Sequence, residues 1–141
     1  MRGFTLIELV MTIVIVGVLA VTVFPRFFDR LTFDSRSFSD GVIATVRYAQ
    51  KAAIAKHRFV CVTITSSNVS LKYGTTSACA DGSLQIPPGK SSLGVPGGVT
   101  VTAASFSFDS LGRPSAPQSI LINGGGVAKT ITVAAETGYV Y

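Results

Sequence analysis

Apolar positions in this chain follow three successive patterns. From Phe4 to Phe24 they form a near-continuous run of 21 residues that holds a single charge, Glu8. Beyond Pro25 the run turns into a stripe, with Phe27/Phe28, Leu31, Phe38, Val42, Val46, Ala49 and Ala53 recurring at steps of three or four and Ser35 interrupting, the spacing of an amphipathic helix. Run and stripe together predict one helix of about 54 residues, Phe4 to His57, near 80 Å long at 1.5 Å per residue. From Phe59 the period changes to two. Val60, Val62 and Ile64 share one face of a strand, Ser66-Ser67-Asn68 makes a turn, and Val69 to Tyr73 returns as a partner. After a Gly74–Gly82 loop come a short apolar piece, Leu84 to Ile86, and a loop, Pro87 to Gly98; later strands are expected at Val99 to Val101 extended through Phe106 and Phe108, and at Ser119–Ile122, Thr130–Ala134 and Tyr139–Tyr141. The expected fold class is α+β: a long N-terminal helix, half in a membrane or helix bundle and half packed on an antiparallel β-sheet domain.

A helix of that length cannot lie inside a small domain, so lipid or other helices must cover its first half. About 20 apolar residues span a bilayer. A cleaved secretory signal has a shorter apolar core and an Ala-x-Ala-like site, whereas this run ends in Pro25-Arg26. A plain anchor fits the length but leaves Glu8 unexplained, because a carboxylate at bilayer depth costs roughly 2.5–3.5 kcal/mol and needs a partner. A cut between Gly3 and Phe4 would create such a partner, the new α-amino group of Phe4 on a neighbouring copy, at about the depth of Glu8. Within the long helix Gly17 and Pro25 are the weak points. Glycine costs about 1 kcal/mol in a helix interior, and proline removes a backbone donor and clashes one turn back.

Length and charge refine this division. About 117 residues lie beyond the run, enough for one modest core. The net charge is +5, and residues 1–58 hold +4 of it, from eight basic and four acidic side chains. The basic bias therefore follows the helix, as a solvated or subunit-facing side, or as a weak attraction for nucleic acid.

Catalytic and metal-binding chemistry finds no constellation. His57, the one histidine, falls at the expected helix end, where interaction with the C-terminal dipole accounts for it. The glycine run Gly124-Gly125-Gly126 lies between two strands, which favours a hairpin turn over a phosphate-binding loop. Asp109 to Pro114, Arg113 included, reads as a turn, with Gly112 giving backbone freedom and Pro114 ending it. Cys61 and Cys79 come after an export anchor, and an even pair in an oxidising compartment favours a disulfide over free thiols or a metal site. No catalytic residues, metal ligands or cofactors are assigned.

Gly3-Phe4-Thr5-Leu6-Ile7-Glu8-Leu9 resembles the class III signal of type IV prepilins and type II secretion pseudopilins. The resemblance implies that prepilin peptidase cuts after Gly3 and methylates Phe4, that Glu8 serves assembly, and that the helix unwinds between Gly17 and Pro25 in the assembled filament. It divides the chain into a leader (1–3), a transmembrane and assembly helix (4–25) and a periplasmic pilin-like domain (26–141). Tyr48-Ala49-Gln50-Lys51-Ala52-Ala53-Ile54-Ala55, Phe106-Ser107-Phe108-Asp109-Ser110-Leu111-Gly112-Arg113-Pro114 and Glu136-Thr137-Gly138-Tyr139-Val140 further resemble the GspH/FimT group of minor pilins and pseudopilins, and within it the minor pilins of mannose-sensitive haemagglutinin (MSHA) pili.

By function, the resemblance implies a structural subunit of a pilus. The implied partners are other pilins through the N-terminal helix, the prepilin peptidase and the bacterial inner membrane, crossed once with the C-terminal domain in the periplasm. A pseudopilin H of a type II secretion system is the alternative within that class. The other class is a DNA receptor of the FimT kind, which carries Gly-Arg-x-Arg near its C-terminus. Here that stretch is Gly138-Tyr139-Val140-Tyr141, so DNA binding is expected to be weak at most. Pro87 to Gly98 names no ligand for adhesion.

Overall fold

The computed structural model describes the chain from Thr5 to Tyr141, with side chains outside residues 22–29. Helix α1 runs from Leu6 to Lys56, 51 residues. Its start is set by Thr5, whose hydroxyl accepts the backbone N–H of Glu8 at 3.4 Å, so Thr5-Leu6-Ile7-Glu8 has the Thr-x-x-Glu pattern of a capping box. Its end is set by His57, which turns left-handed (φ 50°) while its own N–H and that of Arg58 donate to the carbonyls of Ile54 and Ala53. The backbone of His57 thus closes the helix, a task that the sequence suggests for its side chain. In the isolated chain α1 is continuous across Gly17 and Pro25. A Cβ at Gly17 would meet nothing within 4 Å, so no packing inside the chain calls for glycine there.

The two halves of α1 have opposite surroundings. Every large apolar side chain described from Leu6 to Val21 is exposed, by 45% to 81%. The striped half buries Phe38, Val42, Val46, Ala49 and Ala53 against the sheets. Ser35 interrupts the stripe for a steric reason: it is buried where Gly124 comes so close that a Cβ there would stand 3.1 Å from the serine Cβ.

Among the described residues eight strands form two antiparallel sheets. β1 (Phe59–Ile64) pairs with β2 (Asn68–Gly74), Phe59 opposite Gly74 and Ile64 opposite Val69, and buries Val60, Val62 and Ile64. The outer edge of β2 is shared by β3 (Gly82–Leu84) and β4 (Ser92–Gly94), and the other edge of β1 takes β6 (Ala104–Phe108). The second sheet has the order β5 (Thr100–Val101), β7 (Gln118–Gly124), β8 (Val127–Val133).

The expected single strand from Val99 to Phe108 is in fact two, one in each sheet. Val99 and Val101 point inward at odd positions and Phe106 and Phe108 at even ones, and one regular strand cannot bury both sets on one face. The chain changes sheets at Thr102-Ala103. Two other expectations change. The Pro87 to Gly98 loop contains β4, and Tyr139–Tyr141 is reduced to a bridge, Val140 opposite Val133, tied by bonds from Ala134 and Thr132.

Candidate functional site

Among the described residues no group of histidine, cysteine or acidic side chains could hold a metal ion. The functional geometry lies instead at three places along α1. At its start, Glu8 supplies an acid to the first turn beside the Thr5 cap, where the exposed N–H groups of a helix favour negative charge. Gly3 and Phe4 lie outside the described residues. Among the described residues no helix is long and apolar enough to cross a membrane. The run from Phe4 to Phe24 extends at both ends beyond the residues with described side chains.

At the middle of α1, the β7–β8 hairpin is seated on the helix. Gly124 pairs with Val127, leaving the two-residue loop Gly125-Gly126 with φ of 58° and 75°, the positive pair of a type I′ turn. The Thr32 hydroxyl donates to the Gly125 carbonyl at 3.1 Å, and Lys129 reaches Asp40 at 2.9 Å. Elsewhere along α1 a groove of about 190 Å³ separates Gly41, Ala44 and Tyr48 from Ile86, Pro88 and Leu93, and its lining is mainly apolar.

At the end of α1, Gln50 joins segments far apart in sequence. Its amide donates to the carbonyl of Gly112 at 3.0 Å and of Thr137 at 2.8 Å, while Arg47 donates to Val140 at 2.8 Å. Asp109 to Arg113 is a turn in which the Asp109 carboxylate accepts the N–H groups of Leu111 and Arg113, and Phe108 bridges to Pro114. Gly112 and Gly138 both have positive φ, and a Cβ on Gly138 would stand 2.4 Å from the Gly112 oxygen. The three segments that carry the GspH/FimT resemblance therefore meet at one side chain. Sequence reasoning missed Gln50, since its partners are 62 and 87 residues away. It also missed the Thr5 cap, for which the Thr-x-x-Glu spacing was a sufficient signal.

Cys61 and Cys79 are joined by a disulfide with Cα atoms 6.0 Å apart. The bridge draws the loop after β2 so close that a Cβ on Gly74 would lie 2.6 Å from the Cys79 Cα. Asp81 secures the same loop, accepting from Thr75 N–H and pairing with Arg58 at the helix end. Replacing both cysteines by serine is expected to cost about 2–4 kcal/mol, read as a lower urea midpoint. Non-reducing peptide maps of the wild type should yield one species containing both cysteines; separate peptides would show the bridge absent.

Residues 1–24 match the family described as the prokaryotic N-terminal methylation motif. No curated protein matches the chain. Among solved structures, the type IV minor pilin FimU of Pseudomonas aeruginosa is 14% identical, with 75% of this chain and 90% of that one covered at a TM-score of 0.56. Its second crystal form gives 15%, 80%, 87% and 0.55. The minor pseudopilin EpsH from the Type 2 Secretion System of Vibrio cholerae is 14% identical over 79% of this chain and 94% of its own, with a TM-score of 0.57.

The chain has the type IV pilin fold.

The methylation motif covers residues 1–24, and the likeness to FimU and EpsH is one of fold. Together they give the two functional ends of α1 separate meanings. The Thr5–Glu8 turn belongs to the part that the motif covers, and the Gln50 cluster holds the pilin domain together.

Proposed function

We propose that the chain is a minor pilin, a low-abundance subunit that helps to start or cap a type IV pilus. Prepilin peptidase cuts it after Gly3 and methylates Phe4. Before assembly it crosses the inner membrane once, with residues 26–141 in the periplasm; afterwards its apolar half-helix lies among those of other subunits. The observation that carries this reading is the division of α1. One continuous helix is packed by its own domain from Leu31 onward and left bare from Leu6 to Val21. Apolar surface of that extent has to be removed from water by lipid or by other helices.

Within this reading the pilus is of the MSHA kind, and the relative is its minor pilin C. The support is the Phe-Asp-Ser-Leu-Gly-Arg-Pro and Glu-Thr-Gly-Tyr-Val segments. Both pack on Gln50, so a shared packing need is part of their likeness. A minor pseudopilin H of a type II secretion system is the second reading, favoured by a likeness to EpsH equal to that to FimU. A DNA receptor is less well supported, since Tyr139 and Tyr141 stand where arginines would bind phosphate.

Processing is the direct test. Protein taken from its native membrane should have an intact mass lacking Met1 to Gly3 and carrying one added methyl. Retention of Met1 in a strain with active prepilin peptidase would sink the proposal.

A further inference from the structure

Between Thr5 and Val21 only three side chains are polar: Thr5, Glu8 and Thr12. At 3.6 residues per turn all three fall within about 60° of arc, so they make a single polar stripe on an otherwise apolar half-helix. The stripe is exposed throughout. Thr5 caps the helix through the Glu8 N–H, which accounts for its hydroxyl. Thr12 has no such task. Its hydroxyl donates to the Leu9 carbonyl at 2.8 Å, a bond that the middle of a helix does not need, and valine of the same shape would suit an apolar surface better.

That bond decides what Thr12 offers a neighbour. A hydroxyl has one hydrogen to donate and two lone pairs to accept with. With the hydrogen committed to Leu9, the oxygen faces outward as an acceptor, and the carboxylate of Glu8 is an acceptor alone. Helix side chains lean toward the N-terminus, so each group lies over the turn before its own, and the two stay about one turn, or 5.4 Å, apart. The stripe therefore calls for a partner that brings donors only, with positive charge at Glu8, spread over the length of one helical turn. Lipid chains bring none, and a side-chain ammonium brings its donors to one point. The first turn of another helix meets all three terms: its N–H groups lack partners within the helix, they extend over one turn, and that end of the dipole is positive.

We propose that Thr12 is a positioning residue for assembly, accepting a first-turn N–H of the adjacent subunit whose α-amino group pairs with Glu8. This rests on the reading of the chain as a filament subunit and adds a second contact to it. One charge pair fixes the height of a parallel neighbour but leaves it free to rotate about its axis. A second bond one turn further along fixes the rotation too. Within a bundle of apolar helices no water replaces the acceptor, so its loss leaves the neighbour's N–H unsatisfied.

The test uses the full chain in its native membrane. Thr12→Val keeps the shape without the acceptor and should lower incorporation of this subunit into filaments about three- to tenfold, the range of one hydrogen bond between membrane helices. Thr12→Ser keeps the acceptor and should restore most of the wild-type level. Processing and the disulfide should be unchanged in both. A photoreactive diazirine side chain placed at Val16, one turn beyond Thr12 on the same face, should link to a peptide from the first three turns of another subunit's mature helix. Wild-type incorporation of Thr12→Val, equal losses for valine and serine, or links only to segments farther along the neighbour would each overturn the proposal. Retention of Met1 would end the filament reading and this contact with it. Processed protein in which Glu8→Gln fails to assemble while Thr12→Val assembles normally would reject the role of Thr12 alone.

Discussion

Gly125→Ala is expected to destabilise the domain by about 3 kcal/mol or more, although it adds one methyl group at a loop tip. Two effects add there. With φ at 58°, any side chain carries the left-handed cost of about 1–2 kcal/mol. The new Cβ would also stand 2.5 Å from the Thr32 nitrogen and 2.7 Å from the Leu31 carbonyl carbon, which are helix backbone and cannot swing aside. Gly126→Ala is the control. Its φ is 75° but nothing lies within 4 Å, so only the conformational cost of about 1–2 kcal/mol applies. Urea unfolding of the two variants would measure the difference. Equal losses would mean that the β7–β8 hairpin does not rest on α1.

Glu8→Ala is expected to leave the protein processed, disulfide-bonded and membrane-inserted, yet to lower its incorporation into filaments and the number of filaments per cell. The core starts beyond Pro25 and the residues around Glu8 are exposed, so removal of this side chain has no route to unfold the domain. In a bundle of helices the carboxylate would meet the Phe4 amine of a neighbour, and a charge pair in a medium of low dielectric constant sets axial register. Glu8→Gln separates charge from polarity: it should fail with alanine if the charge acts. The Thr5 cap supplies another control, because Glu8 contributes its backbone N–H to that bond whatever its side chain is. Counts of filaments and of incorporated subunits, at equal expression, decide. Wild-type values for both variants would return the segment to a plain anchor.

What the sequence revealed of the fold depended on the range of each interaction. The stripe from Leu31 to Ala53, the β1–β2 hairpin and the glycine turn are local patterns, and each is present in the structure. The division at Thr102-Ala103 was also local, in the change of parity between Val101 and Phe106, but a count of β-formers passes over parity. The Gln50 cluster lacked any local sign. A glutamine on a helix reads as solvated until the turns carrying Gly112 and Gly138 are brought to it, and only pairing of β6 with β1 and of the C-terminal tail with β8 does so. His57 carried the opposite lesson: its ring drew attention while its φ ended the helix.

The way α1 is fastened to its domain has a mechanical consequence. The joints are spread along its length: Thr32 to Gly125, Asp40 to Lys129, Arg47 to Val140 and Gln50 to Gly112 and Thr137. Tension entering through the bare N-terminal half would run parallel to this row and load its members together in shear. A strand drawn sideways from a sheet yields one bond at a time; this helix would have to slide past all its fastenings at once, across a span of about 30 Å.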